Sequence, residues 1–235
     1  MSNTVNEKLN RRRALRMIGA AGAAAVAAAA CSSEETPTSP SVTTGTAGIS
    51  NSDCAVTPTE TVGPYPSLTD LIRSDVREGK PGTDLVMTIK VVNVNGACAP
   101  VSGVNVEIWS CDHAGNYSSY GSQTAQTYLR GIQTTNVNGE ATFTTIYPGW
   151  YQGRATHIHV EVTRNNQSIK VTQVAFPETV NNIVHTSGVY ASRGVNPTTN
   201  ARDGIFADSL ASEITTPTGS PSGGYTASFQ VGISI

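Results

Sequence analysis

With 235 residues, the chain is long enough for one medium domain plus a leader. A net charge of −2 and a pI near 6.1 give no sign of the clustered basic face that nucleic-acid binding needs, so no nucleic-acid partner is expected. Abundant Gly, Ser, Thr, Asn and Val beside sparse Lys, Glu and Leu favour strands and turns over helices.

Residues 1–30 read as a twin-arginine-type signal peptide. Arg11, Arg12 and Arg13 stand before Ala14-Leu15-Arg16 and an Ala-rich apolar run over 17–30, which is too short for a permanent membrane span. Ala28-Ala29-Ala30-Cys31 resembles a lipoprotein cleavage box without its usual leading Leu, which makes Cys31 a candidate lipid anchor. Residues 31–53 are rich in Ser, Thr, Pro and Gly and read as a flexible tether. The expectation is an exported chain, held at the cell surface or secreted, whose folded domain spans residues 54–235. That domain holds Cys54, Cys98 and Cys111, and export permits a disulfide. A strand over 103–110 would place Cys98 and Cys111 at opposite ends, beyond the Cα reach of about 7 Å. Cys54 is therefore expected to bridge one of them, with either partner open.

In chain order, residues 67–77 admit a short helix and residues 85–92 form a strand. Asn95-Gly96 is a turn of two residues that tolerate positive φ. Val104, Val106 and Ile108 alternate with Asn105, Glu107 and Trp109, the period of a half-buried strand. Residues 132–135, the Asn138-Gly139 turn and residues 141–146 read as a hairpin. Residues 157–162 and 168–176 are strands joined at Asn165-Asn166, and residues 225–233 are the last strand. The expected fold is all-β, a two-sheet β-sandwich with two long irregular stretches, 111–130 and 177–223, of the kind that carries function.

His157-Ile158-His159 places two imidazoles on one face of a strand, one pleat apart, where both reach a single metal. Gly149-Trp150-Tyr151 precedes them by a short turn, and Gly115-Asn116-Tyr117 follows the strand ending at Trp109. If neighbouring strand ends converge at one rim of the sandwich, two tyrosines and two histidines meet there. No carboxylate is placed to complete a His/His/carboxylate triad, and no Cys-x-x-Cys spacing points to structural zinc. Tyrosinate is a hard anionic donor that suits iron(III).

Three runs resemble the intradiol ring-cleavage dioxygenases. The first is Val106-Glu107-Ile108-Trp109 through Gly115-Asn116-Tyr117-Ser118. The second is Tyr128-Leu129-Arg130-Gly131 followed by Asn138-Gly139. The third is Pro148-Gly149-Trp150-Tyr151 through Arg154-Ala155-Thr156-His157-Ile158-His159. Thr57-Pro58 through Gly63-Pro64-Tyr65 is similar to the segment leading into the family's domain. The resemblance implies that Tyr117, Tyr151, His157 and His159 ligate Fe(3+). It implies a small aromatic diol and O2 as substrates, with the ring cut between its hydroxyls to give a muconate-type product. Tyr151 would leave the metal and take a proton, and Arg154 would stabilise the substrate-derived anion through its permanent, paired donors.

The sequence departs from the well-known cytosolic members in three ways. The connection from Tyr151 to His157 is shorter, Ala155 stands where Pro is common, and no helical dimerisation region precedes the domain. Which catechol is used, and the oligomeric state, stay open. Two other readings compete. One is a non-catalytic lipoprotein that binds a polysaccharide on Trp109 and Trp150. The other is a copper or zinc site in which His113 or His185 joins the histidine pair, although both sit in stretches where a loop histidine is ordinarily solvated. Gln173, Phe176 and Tyr65 are expected to line the pocket.

Overall fold

The computed structural model describes residues 54–235. The expected leader at 1–30, the tether at 31–53 and Cys31 lie outside the described residues. Among the described residues nine strands form two sheets, as the composition suggests. They are β1 (Asp84–Asn93), β2 (Ala99–Pro100), β3 (Asn105–Trp109), β4 (Arg130–Thr134), β5 (Glu140–Ile146), β6 (His157–Arg164), β7 (Gln167–Ala175), β8 (Thr218–Ser220) and β9 (Gly224–Ile233). One sheet runs β2-β1-β9-β8, with β5 also paired to β1, and the other runs β4-β3-β6-β7. Period-two alternation fills the space between them. Leu85, Met87, Ile89 and Val91 of β1 meet Val106 and Ile108 of β3 and Ile158, Val160 and Val162 of β6 in one buried core.

The turn chemistry explains part of this arrangement. Asn165 and Asn166 both take positive φ, 51° and 63°, and close the β6–β7 hairpin. After β1 the chain makes a single 3-10 turn at Val94–Gly96, and the positive φ falls on Ala97 and Cys98 rather than on Asn95-Gly96. Cys98 is thereby brought to Cys54 with a Cα separation of 5.6 Å, and the two form a disulfide, while Cys111 is a buried free thiol.

Three expectations are corrected. Residues 67–77 form no helix. They run beside the sheets, with Ile72 bridged to Ile132 and Asp75 to Thr144, because they are needed to cover sheet edges. Residues 132–146 are not a hairpin either. β4 pairs with β3 and β5 with β1, so Asn138-Gly139 turns a corner from one sheet to the other. Stretch 177–223 is not wholly irregular, since it carries α1 (Glu178–His185) and the single turn α2 (Leu210–Glu213).

Both faces of the second sheet are covered. The segment leading into the domain caps the β7 edge through Glu60 N to Val171 O (2.9 Å) and reaches the outer face through Gln173 Nε2 to Thr61 O (2.9 Å). The 177–223 excursion covers β7 through an Ala175–Ile214 bridge and a Thr172 to Glu213 hydrogen bond.

Candidate metal centre

Strand register assembles the site. Arg130 pairs with Trp109, Trp109 with His159, and His159 with Gln173, so one cross-strand row spans all four strands. Directly opposed residues share a face, and Ile158 and Ile108 belong to the core, so this row points to the outer face. The two histidines thus sit on the covered outer face of one sheet, not at a rim between two sheets. Trp109 stacks on His159 with centroids 4.7 Å apart and planes 2° from parallel.

Both tyrosines arrive on loops that glycine allows to touch. Asp112 folds the first loop by accepting the Ala114 and Asn116 amides on Oδ1, and Lys80 pairs with its other oxygen at 2.8 Å. Gly115 has φ +84°, and a Cβ there would lie 2.4 Å from the Trp150 carbonyl. A Cβ on Gly149 would lie 2.3 Å from the Asp112 carbonyl. Each Gly-x-Tyr therefore owes its glycine to the close approach of the two loops. The ring of Tyr117 lies 5.6 Å from that of Tyr151 and 6.2 Å from that of His159, and Tyr151 is 5.7 Å from His157. The structure brings together all four side chains that the sequence singles out.

The imidazoles face each other, with Nε2 of His157 3.1 Å from Nε2 of His159. His157 Nδ1 lies 2.6 Å from the Ala155 carbonyl, so it carries the proton and leaves the Nε2 lone pair free. Burial, reinforced by Arg154, pushes His157 down to about 3, and burial with the neighbouring His157 pushes His159 well below the usual histidine range. Both rings are therefore neutral. Tyr117 is 3% exposed and its hydroxyl has no hydrogen-bond partner, an arrangement that normally costs about 1–3 kcal/mol. Burial, and then repulsion from Cys111 and Tyr151, holds its phenol well above the usual tyrosine range; burial also raises Tyr151, against the pull of Arg154. Two neutral imidazoles and two phenols, one with an orphaned hydroxyl, are what a cation could occupy. Among the described residues no group of three or more His, Cys, Asp or Glu converges to offer another donor set.

Arg154 adjoins this cluster. Its Nη1 is 3.5 Å from the Tyr151 hydroxyl, its Nη2 donates to Gln173 Oε1 (2.6 Å), and its Nε donates to Asp203 Oδ2 (2.9 Å). Gly63, with φ +71°, roofs the histidines, and a Cβ there would lie 3.1 Å from His159 Cε1. Tyr65 stacks on Tyr117 at 4.6 Å and, with Tyr117, Tyr120 and Asn116, lines a cavity of about 130 Å³. Phe176, expected at the pocket, belongs instead to the core between the sheets.

His113 and His185 do not join the histidine pair. Both pack on Tyr190, at 6.1 and 5.9 Å between centroids. His185 is fully buried in the last turn of α1, with Nε2 3.2 Å from the Pro148 carbonyl, rather than solvated. Trp109 is 1% exposed and Trp150 lies under Arg193, at 4.1 Å from guanidinium to ring, so neither is an open platform for sugar. Asp203 and Phe206, which contact Arg154, carry no pattern visible in the sequence.

Comparison with known proteins agrees with this architecture. The dioxygenase family model Dioxygenase_C matches residues 61–194. An intradiol ring-cleavage dioxygenase from Tetranychus urticae is 30% identical, with a TM-score of 0.70 over 77% of this chain and 95% of that one. The dioxygenase domain of a dioxygenase carbohydrate-binding protein fusion from Streptomyces sp. SirexAA-E is 26% identical, with a TM-score of 0.59 over 77% of this chain and 99% of that one. Catechol 1,2-dioxygenase from Pseudomonas arvilla C-1, at 18% identity and a TM-score of 0.54 over 76% of this chain and 62% of that one, shares the fold. Among curated proteins none matches. A family model covering more than half the chain, together with a solved relative at 30% identity, places this chain in the intradiol ring-cleavage dioxygenase family.

Proposed function

We propose that the chain is a non-haem iron(III) dioxygenase that cleaves catechol-type rings between their two hydroxyls, consuming O2 and releasing muconate-type products. The observation that carries this reading is the convergence of Tyr117, Tyr151, His157 and His159, with two imidazole Nε2 atoms 3.1 Å apart and the Tyr117 hydroxyl orphaned beside them. Family membership supports Fe(3+) as the ion and an aromatic diol with O2 as the reactants. Hard phenol oxygens with neutral imidazoles suit that ion. These four residues would hold it, and when bound it would ionise a chelated catechol and draw electron density from the ring, opening the ring carbons to O2.

The protein's own groups supply the rest. The His157 Nδ1–H bond to Ala155 fixes which nitrogen faces inward. Tyr151, the less buried of the two phenols, has its hydroxyl next to Arg154; ionised as a metal ligand, it would take a catechol proton at that oxygen on leaving the metal. Arg154 offsets negative charge developing on the ring. Gly63 and Trp109 shield His159 from water, and Tyr65 covers the Tyr117 ring. Export is part of the proposal, supported by the leader sequence and by a disulfide of the kind oxidising compartments maintain.

The test is oxygen uptake by the iron-loaded protein with catechol under labelled O2. The expected product is a dicarboxylic muconate containing both labelled atoms. No oxygen uptake, or an aldehyde-bearing product cut outside the diol, would overturn the proposal.

A further inference from the structure

The 177–223 excursion reaches into the site through Asp203 and Phe206. We propose that Asp203 is a positioning residue that fixes the orientation of Arg154, with Phe206 as its backstop, so that one guanidinium corner alone is presented to the bound ring. The inference rests on the dioxygenase reading and assigns a role within it to a segment beyond residues 61–194, the stretch that the family model matches.

A guanidinium is planar and rigid, so holding two of its nitrogens determines the third. Nε is held by Asp203 Oδ2 at 2.9 Å and Nη2 by Gln173 Oε1 at 2.6 Å, which leaves Nη1 directed at the Tyr151 hydroxyl 3.5 Å away. Both holders are themselves fixed. Asp203 Oδ2 also accepts the Ala155 amide (2.5 Å), its Oδ1 accepts the Ile205 amide (2.8 Å), and Gln173 Nε2 donates to the Thr61 carbonyl (2.9 Å). The ring of Phe206 closes the remaining side, 5.9 Å from the Arg154 guanidinium and 6.3 Å from the His157 ring.

Stability gives little reason to bury this pair. Asp203 is fully buried and the Arg154 side chain is 14% exposed, and desolvating two charges costs about as much as their attraction returns. Orientation is what the arrangement provides. Asp203 also holds the Ala155 amide, and the Ala155 carbonyl takes the His157 Nδ1 proton, so one carboxylate steadies both the arginine and the backbone behind a histidine.

The experiment compares wild type, Asp203→Asn, Arg154→Met and the double variant as iron-loaded full chains. Iron content, melting temperature, and kcat and KM for catechol are measured in each. Asp203→Asn is expected to keep iron and fold while kcat falls about 10-fold or more and KM changes little. In the Arg154→Met background the same change is expected to leave kcat where it was. An unchanged kcat in Asp203→Asn, an equal drop in both backgrounds, or loss of iron would overturn the inference. A second readout needs neither turnover nor a variant. In gallium(III)-loaded wild type, the Arg154 Nε–H is expected to exchange slowly with solvent, as a buried ion-paired donor should. Fast exchange overturns the assignment to Asp203. A slowly exchanging Nε–H in a wild type that does not consume O2 with catechol contradicts the dioxygenase reading and leaves the Asp203 contact standing.

Discussion

At the scale of single residues, the two imidazoles and two phenols are kept neutral by burial, and the proposal sets a cation among them. A buried phenol without a partner is costly, and a bound cation would give the Tyr117 oxygen a partner while the two imidazole Nε2 atoms, 3.1 Å apart, offer nitrogen donors beside it. Arg154 is different, because its charge is already balanced by Asp203 and a change there should spare the metal. Arg154→Met is therefore expected to retain iron and colour while kcat falls about 100-fold or more, as for a lost oxyanion donor. Parallel metal analysis and steady-state kinetics check this, and full activity in the variant would remove Arg154 from the mechanism. Gly63→Ala is expected to lower iron occupancy, since the new Cβ would press on His159 Cε1 from 3.1 Å. The four candidate ligands were legible because two lie one pleat apart and the others each follow a glycine by two positions. Asp203 and Phe206 were not, since they act on Arg154 from a distant segment without periodicity. His185 misled because a polar sequence neighbourhood does not reveal burial in a helix end.

At the scale of elements, strand existence followed from alternation, whereas pairing partners did not. Asn-Gly between two apolar runs signals a hairpin only if both runs enter the same sheet, and that depends on contacts far away in sequence. Gly139 serves the corner instead, with φ +75° and a would-be Cβ 2.5 Å from the Val91 carbonyl. Gly139→Ala should destabilise the domain by about 1–3 kcal/mol, read as a lower urea midpoint. A second element-level test concerns Glu107 on β3, which faces Glu161 directly across the β3–β6 pair. Burial first, then Glu161 and Asp70, raises its carboxyl to about 7 from an ordinary 4.5. A raised carboxyl pKa means the folded state binds the extra proton, so this group's contribution to stability falls as pH climbs from 4.5 to 7. Glu107→Gln should raise the melting temperature at pH 8, by a gain on the order of 1 kcal/mol, and do little near pH 4. Equal effects at both pH values would show that the charge is not responsible.

At the scale of the whole molecule, the sandwich was readable from short strands at regular turns, but its closure was not. β1 and β9 pair in parallel over nine positions from opposite ends of the domain, a match that no local pattern announces. The incoming segment, which roofs the site, is tied down by the Cys54–Cys98 disulfide across 44 residues. Replacing both cysteines by serine should cost about 2–4 kcal/mol in denaturant unfolding, since the bridge restricts the unfolded chain. An unchanged midpoint would mean that the bridge does not constrain it. The proposed chemistry requires two tyrosines and two histidines to grip a ferric ion on the outer face of one sheet. Metal analysis and visible absorption of the freshly isolated full chain test this most directly. Stoichiometric iron with a tyrosinate-to-iron(III) band that weakens in Tyr117→Phe is the predicted result. Protein without stoichiometric iron, or a band indifferent to both Tyr117→Phe and Tyr151→Phe, would contradict it.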